Sequence, residues 1–215
     1  MNRPRTVLLA LLAVVAAPGL SACSGGSGST VHTGAAAVVD GQRISVAQLE
    51  NQVTAFRDVA APHGQPQTGT TAPVYGQDSS GIPDHVLQFL IMEKVVQSAL
   101  DAKGLTVAGS DVTARETSLV KQFGSRTALE AQFVAQAGLP PGDLDAWFRM
   151  SAGESTLLQA AGVAASSPQA GEELKKILTT AATAQGIEIN PRYGSSWTPF
   201  DPQLSGPAQP WIKQG

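Results

Sequence analysis

A mainly helical domain, opened by a small β-hairpin and closed by a short strand that pairs with it, is the fold class this sequence predicts. Three observations carry that reading. Asp40-Gly41 stands between two short β-prone runs and is the pair best suited to a type I′ turn. From Val46 to Ala181 apolar residues recur at helical spacing. After Gly186 the text alternates as Ile-Glu-Ile, a strand too short to stand alone, and the early hairpin is the available partner. Composition agrees: of 215 residues, 42% are hydrophobic and only 14% charged, enough for one core. The low charge argues against a disordered polyampholyte and against a nucleic-acid binder, so no nucleic-acid partner is expected. A single cysteine excludes an internal disulfide and a cysteine-based zinc site.

Taken in order, residues 1–22 combine Arg3 and Arg5, an apolar run through Ala17 and a small-residue zone before Cys23, the three parts of a secretory signal. The run is shorter than the roughly 20 residues that span a bilayer. Leu20-Ser21-Ala22-Cys23 resembles the lipobox of bacterial lipoproteins, which implies cleavage before Cys23 and its acylation (a palmitate-type modification). Two or three acyl chains suffice for stable anchoring, at about 0.8 kcal/mol per buried methylene. Ordinary secretion with a chance cysteine is the alternative. Cleavage leaves 12 of the 14 basic residues against all 17 acidic ones, a net charge of −5 in place of −3, so the anchor is lipid and not a basic patch. Residues 23–34 are Ser/Gly-rich and read as a flexible tether.

Residues 35–194 form the folded domain. Ser45 is the expected N-cap of a first helix running to about Val59, with Gln48 at the capping-box position and Val46, Leu49, Val53 and Phe56 on one face. Residues 60–81, rich in Pro and Gly, read as a long irregular loop. Pro83 suits the first turn of a second helix, apolar around more than one stripe and so central to the core, with Gly104 as its C′ residue. Leu105-Thr106-Val107 is an extended link. A third helix is expected to be capped by Ser110 or Asp111 and to carry Val112, Leu119, Val120 and Phe123. Gly124-Ser125 ends it and caps a fourth, with Leu129, Phe133 and Val134 facing inward. After the break at Gly138-Leu139-Pro140-Pro141, a fifth helix bears Leu144, Trp147, Phe148, Leu157 and Leu158 and is expected to weaken near Gly153. Ser167-Pro168 opens a sixth with Leu174, Ile177, Leu178 and Ala181. Residues 195–215 form a Pro-rich tail that Trp197 and Trp211 could pin to the body.

Ala37-Val38-Val39-Asp40-Gly41-Gln42-Arg43-Ile44-Ser45, leading directly into an amphipathic helix, resembles the start of the SurA N-terminal family of extracytoplasmic chaperones and PrsA-like foldases. The resemblance continues through Gly104-Leu105-Thr106-Val107, Phe123-Gly124-Ser125 and the Gly138-Leu139 break, and Ile189 to Gly194 is similar to the family's closing segment. It implies a multihelical, peptide-binding domain whose last segment returns to the first strands. The larger members carry parvulin isomerase domains ahead of the last helix. Here about ten small residues separate the fifth and sixth helices, far fewer than the roughly 50 a domain needs.

The resemblance therefore implies a membrane-anchored, extracytoplasmic lipoprotein with chaperone-like binding of unfolded or partly folded exported polypeptides and without prolyl isomerase activity. The alternative is an accessory scaffold lipoprotein that recognises one cell-envelope partner through residues 60–81 or the tail. No enzyme is expected. His32, His63 and His85 have no spacing with a second ligand, Glu172-Glu173 and Asp143/Asp145 serve helix first turns, and no nucleophile elbow occurs. No cofactor or metal is expected. The candidate sites are Cys23 for lipidation and Trp147 and Phe148 for client binding; adjacent on a helix, these two rings diverge by about 100°, so Trp147 is read either as core or as a groove residue.

Overall fold

A computed structural model describes residues 33–60, 81–201 and 204. Residues 1–32, with the signal and Cys23, and the greater part of the 60–81 loop lie outside the described residues, as does Trp211.

β1 (Ala35–Val39) and β2 (Gln42–Ser45) form the expected hairpin. Asp40 and Gly41 both take positive φ, 52° and 71°, as a type I′ turn requires of its two central residues. The sheet has the order β2-β1-β3, with β3 (Ile187–Ile189) antiparallel to β1 in the register Ala37 to Ile189. Because β1 is the middle strand under the helices, all five of its residues are buried, and small Ala35, Ala36 and Ala37 permit close approach. Asn190 locks the return: its backbone N–H donates to Ala36 O and its side-chain Nδ2 to Ala35 O, both at 2.9 Å.

α1 (Val46–Ala60) begins where expected, with Ser45 Oγ accepting from Gln48 N at 3.0 Å. α2 (Ile82–Ala102) is the central element and buries eleven residues against α1, α5, α6 and β1. Each fully buried Leu, Ile or Val among them contributes about 1.5–3 kcal/mol, so this one helix anchors the core. It ends in a Schellman turn, Leu105 N donating to Leu100 O and Gly104 N to Asp101 O, with Gly104 at φ 63°.

α3 (Gly109–Phe123) starts earlier than expected, because the extended backbone of Ala108 presents its carbonyl to Asp111 N and Val112 N; Ser110 and Asp111 lie inside the first turn. None of its residues is fully buried; Val112, Leu119, Val120 and Phe123 rest half-buried on the outside of the core. α4 (Arg126–Ala137) is capped by Ser125, whose Oγ accepts from Ala128 N at 3.1 Å, and Leu129, Phe133 and Val134 are buried as expected. A 3-10 turn (Pro141–Asp143) leads into α5 (Leu144–Ala160), and α6 (Ala170–Gln185) closes the helical part. Ser167-Pro168 belongs to the turn before α6, where Ser167 Oγ accepts from Gln169 N.

α5 does not weaken at Gly153. A Cβ there would sit 3.0 Å from both Leu100 Cδ1 and Val96 Cγ1, so the glycine serves the close crossing of α5 over α2. Arg126 ties three helices by ion pairs to Glu116 of α3, to Glu130 of α4 at 3.0 Å and to Asp145 of α5 at 2.8 Å. These groups are solvent-accessible, so each pair contributes below about 1 kcal/mol and chiefly sets helix register. Trp197 packs against the core cluster and Leu204 is buried, so this part of the tail is held to the body.

Candidate functional site

Where α2 ends, Leu105 to Val107 leave its axis as an extended link and α3 begins, lying on α5 rather than on α2. Three walls that do not close on one another leave a groove of about 470 Å³. Its floor is apolar: Val96 and Leu100 of α2, Leu105 and Val107 of the link, Val112 of α3, and Met150 of α5. That volume is within the few-hundred-Å³ range of ligand clefts, and Met is a flexible lining that adapts to irregular apolar groups. The α2 rim carries Glu93, Gln97 and Asp101 at four-residue spacing, and Arg149 stands on the α5 side. Gln97 Nε2 donates to Asp101 Oδ1 at 2.8 Å, which fixes the rim.

Across that rim lies a second depression of about 560 Å³ with a different character. It shares Glu93, Gln97 and Asp101 with the groove and is more polar, and Lys94 Nζ donates to Gln42 Oε1 there at 3.1 Å. On α5, burial pushes the Glu154 carboxyl up to about 7 against the attraction of Arg115 of α3.

Neither aromatic candidate lines the apolar groove. Phe148 is fully buried, with 0% exposure, and is corrected to a core residue. Trp147 is half-buried and turned toward α4, its ring 6.0 Å from Phe133 and 5.5 Å from Phe148, both edge to face. The α5 residues that face the groove are Ala146, Arg149 and Met150, at i, i+3 and i+4 on the neighbouring stripe.

Asp143 sits as expected at the start of a helix, in the 3-10 turn and at the N-cap of α5, but it is not a solvent-facing first-turn acid. It is buried, 8% exposed, and accepts from Gln52 Nε2 at 3.0 Å through Oδ1. Desolvation, with Glu93 adding repulsion, raises its carboxyl to about 6. Asp145 and Glu172-Glu173 do sit in first turns, of α5 and α6. His85 has a structural place: its Nε2 bonds the carbonyl of Ala137 and its ring packs on Gly138, closing the end of α4. Among the described residues no His/Cys/Asp/Glu group is placed to hold a metal, and no helix is long and apolar enough to cross a membrane.

No curated protein and no solved structure matches the chain. A family model, the SurA-like N-terminal domain, matches residues 3–136. The match takes in the hairpin, α1, α2, α3 and nearly all of α4, whereas the α5 wall of the groove and the closing strand lie beyond it. With the greater part of the chain matched and the helical domain in place around its three-stranded sheet, the protein belongs to the SurA-like N-terminal domain family.

Proposed function

We propose that this protein is a chaperone-like binder of unfolded or partly folded exported polypeptides, held by acyl groups on Cys23 at the extracytoplasmic face of a membrane and without prolyl isomerase or other enzymatic activity. The observation that carries the reading is the apolar groove between α2, the Leu105–Val107 link, α3 and α5, found in a chain of the SurA-like N-terminal domain family. A groove with an apolar floor binds extended segments by burying their side chains, without nucleotide or metal and without reading a particular sequence. α3 suits such reversible work: none of its residues is fully buried, so its displacement exposes little core. The anchor is supported by the lipobox-like Leu20-Ser21-Ala22-Cys23, and the lack of an isomerase by the short connection, residues 161–169, between α5 and α6.

Light scattering of a reduced, aggregating client tests the central claim. Stoichiometric protein is expected to suppress aggregation, and Val112→Glu, which puts a charge on the groove floor, to lose that effect while keeping its helical circular dichroism. No suppression at several-fold excess overturns the reading. Cys23→Ala is expected to release the protein from membranes or leave its signal uncleaved; a processed, unacylated form retained in the membrane overturns the anchoring.

A further inference from the structure

We infer that the groove selects short apolar segments bracketed by basic residues, with cations seated over the α2 rim. The inference rests on the peptide-binding reading above and names the chemistry of the peptide. Glu93 and Asp101 are the two carboxylates of the lining, both on one wall, and the lone cation of that lining, Arg149, is on α5. Within that lining the acidic groups stand on α2 and the cation on α5; Lys94, next to Glu93, belongs to the neighbouring depression, where it donates to Gln42 Oε1.

Spacing sharpens this. Asp101 lies eight helical steps after Glu93, a rise of about 12 Å. Four steps of an extended chain cover about 13 Å. An extended segment with two basic residues enclosing three apolar ones thus matches the spacing of both carboxylates; side chains alternate along it, so with the basic pair turned to the rim the first and third apolar side chains turn to Leu100, Val112 and Met150 on the floor. Gln97, between the two acids, has its amide engaged by Asp101, so the rim offers acceptors at its ends and an apolar wall below. Glu93 has a further reason to take a cation: its charge already repels the buried carboxyl of Asp143. A basic residue of the client neutralises that charge. The same rim disfavours acidic flanks, because a like charge there suffers desolvation and repulsion together.

The test uses three fluorescein-labelled peptides with one core, Leu-Val-Leu, flanked on both sides by Lys, by Gln or by Glu, titrated against the protein by fluorescence anisotropy. The Lys-flanked peptide is expected to bind about tenfold more tightly than the Glu-flanked one at low ionic strength, with the gap narrowing in about 0.5 M salt. In the double variant Glu93→Gln, Asp101→Asn, which leaves Arg149 as the charge of the lining, the preference for Lys flanks is expected to vanish. Equal binding of all three by the unmodified protein, or a preference for Glu flanks, overturns the inference and leaves the peptide-binding reading standing. Failure of all three to bind overturns both.

Discussion

Replacing Asp143 by Asn changes one oxygen for an NH2 group and is expected to stabilise the protein above neutral pH. Asp143 Oδ1 accepts from Gln52 Nε2 at 3.0 Å, while Asp143 Oδ2 and Gln52 Oε1 are both buried and lack a hydrogen-bond partner among the described residues. Both orphans are acceptors, so the ionised pair is one proton short of a two-bond amide–acid contact. The carboxamide of the Asp143→Asn variant supplies that donor from its NH2 group and removes the buried charge. Holding the proton up to about 6 in the folded chain, against 3.8 for the ordinary carboxyl, corresponds to about 2–3 kcal/mol between the protonation states.

The sign follows from the raised value. The folded state binds this proton more tightly than the unfolded one, so the contribution is fully present below pH 3.8 and is lost as pH rises through 6. Urea unfolding, followed by tryptophan fluorescence between about pH 4 and pH 8, reads it directly. The stability of Asp143→Asn relative to the unmodified protein is expected to climb by about 2 kcal/mol across that range and to level off above it. A difference that is flat with pH, or a variant less stable at the alkaline end, refutes the argument.

Four other substitutions test the packing. Phe148→Ala empties a fully buried site and is expected to cost about 3–5 kcal/mol in urea unfolding, with Trp147→Ala costing clearly less; equal losses contradict the assignment of Phe148 to the core. Gly153→Val pushes a branched side chain into Leu100 and Val96 and is expected to cost about 1–3 kcal/mol and lower the melting temperature, whereas an unchanged melt denies the close crossing of α2 and α5. Asn190→Ala removes the bond to Ala35 O and is expected to cost about 1–3 kcal/mol, with faster amide exchange in β1; protection at wild-type level shows that the closing strand holds without it.

Local chemistry made many element boundaries legible. The turn at Asp40-Gly41, the caps at Ser45 and Ser125 and the Schellman glycine Gly104 each act within a few residues, so a short stretch of text contains the whole cause. The starts of α3 and α6 were displaced for a related reason. Several polar residues near each start could cap it, and the backbone path from Val107 to Ala108, or through the Ser167 turn, selects among them. Gly153 looked like a helix breaker because its neighbour, α2, lies some fifty positions away in the chain. Asp143 read only as a helix first-turn acid for the same reason, since the Gln52 and Glu93 that surround its carboxyl come from two other helices.

By itself, the sequence determined the helical class, the hairpin, the return of the last strand to the first, and the membership of these residues in one core. Those properties follow from periodicity and turn chemistry, which are set by residues adjacent in the chain. Tertiary structure alone decided that Phe148 is core, that Trp147 turns to α4, and that the apolar groove falls to Leu100, Leu105, Val107, Val112 and Met150. Neighbouring side chains on a helix diverge by about 100°, so a small rotation of α5 chooses which stripe meets α4 and which is left open to a peptide. That rotation is set by the crossing at Gly153 and the three-way ion pair of Arg126, contacts between helices that no short window of sequence contains.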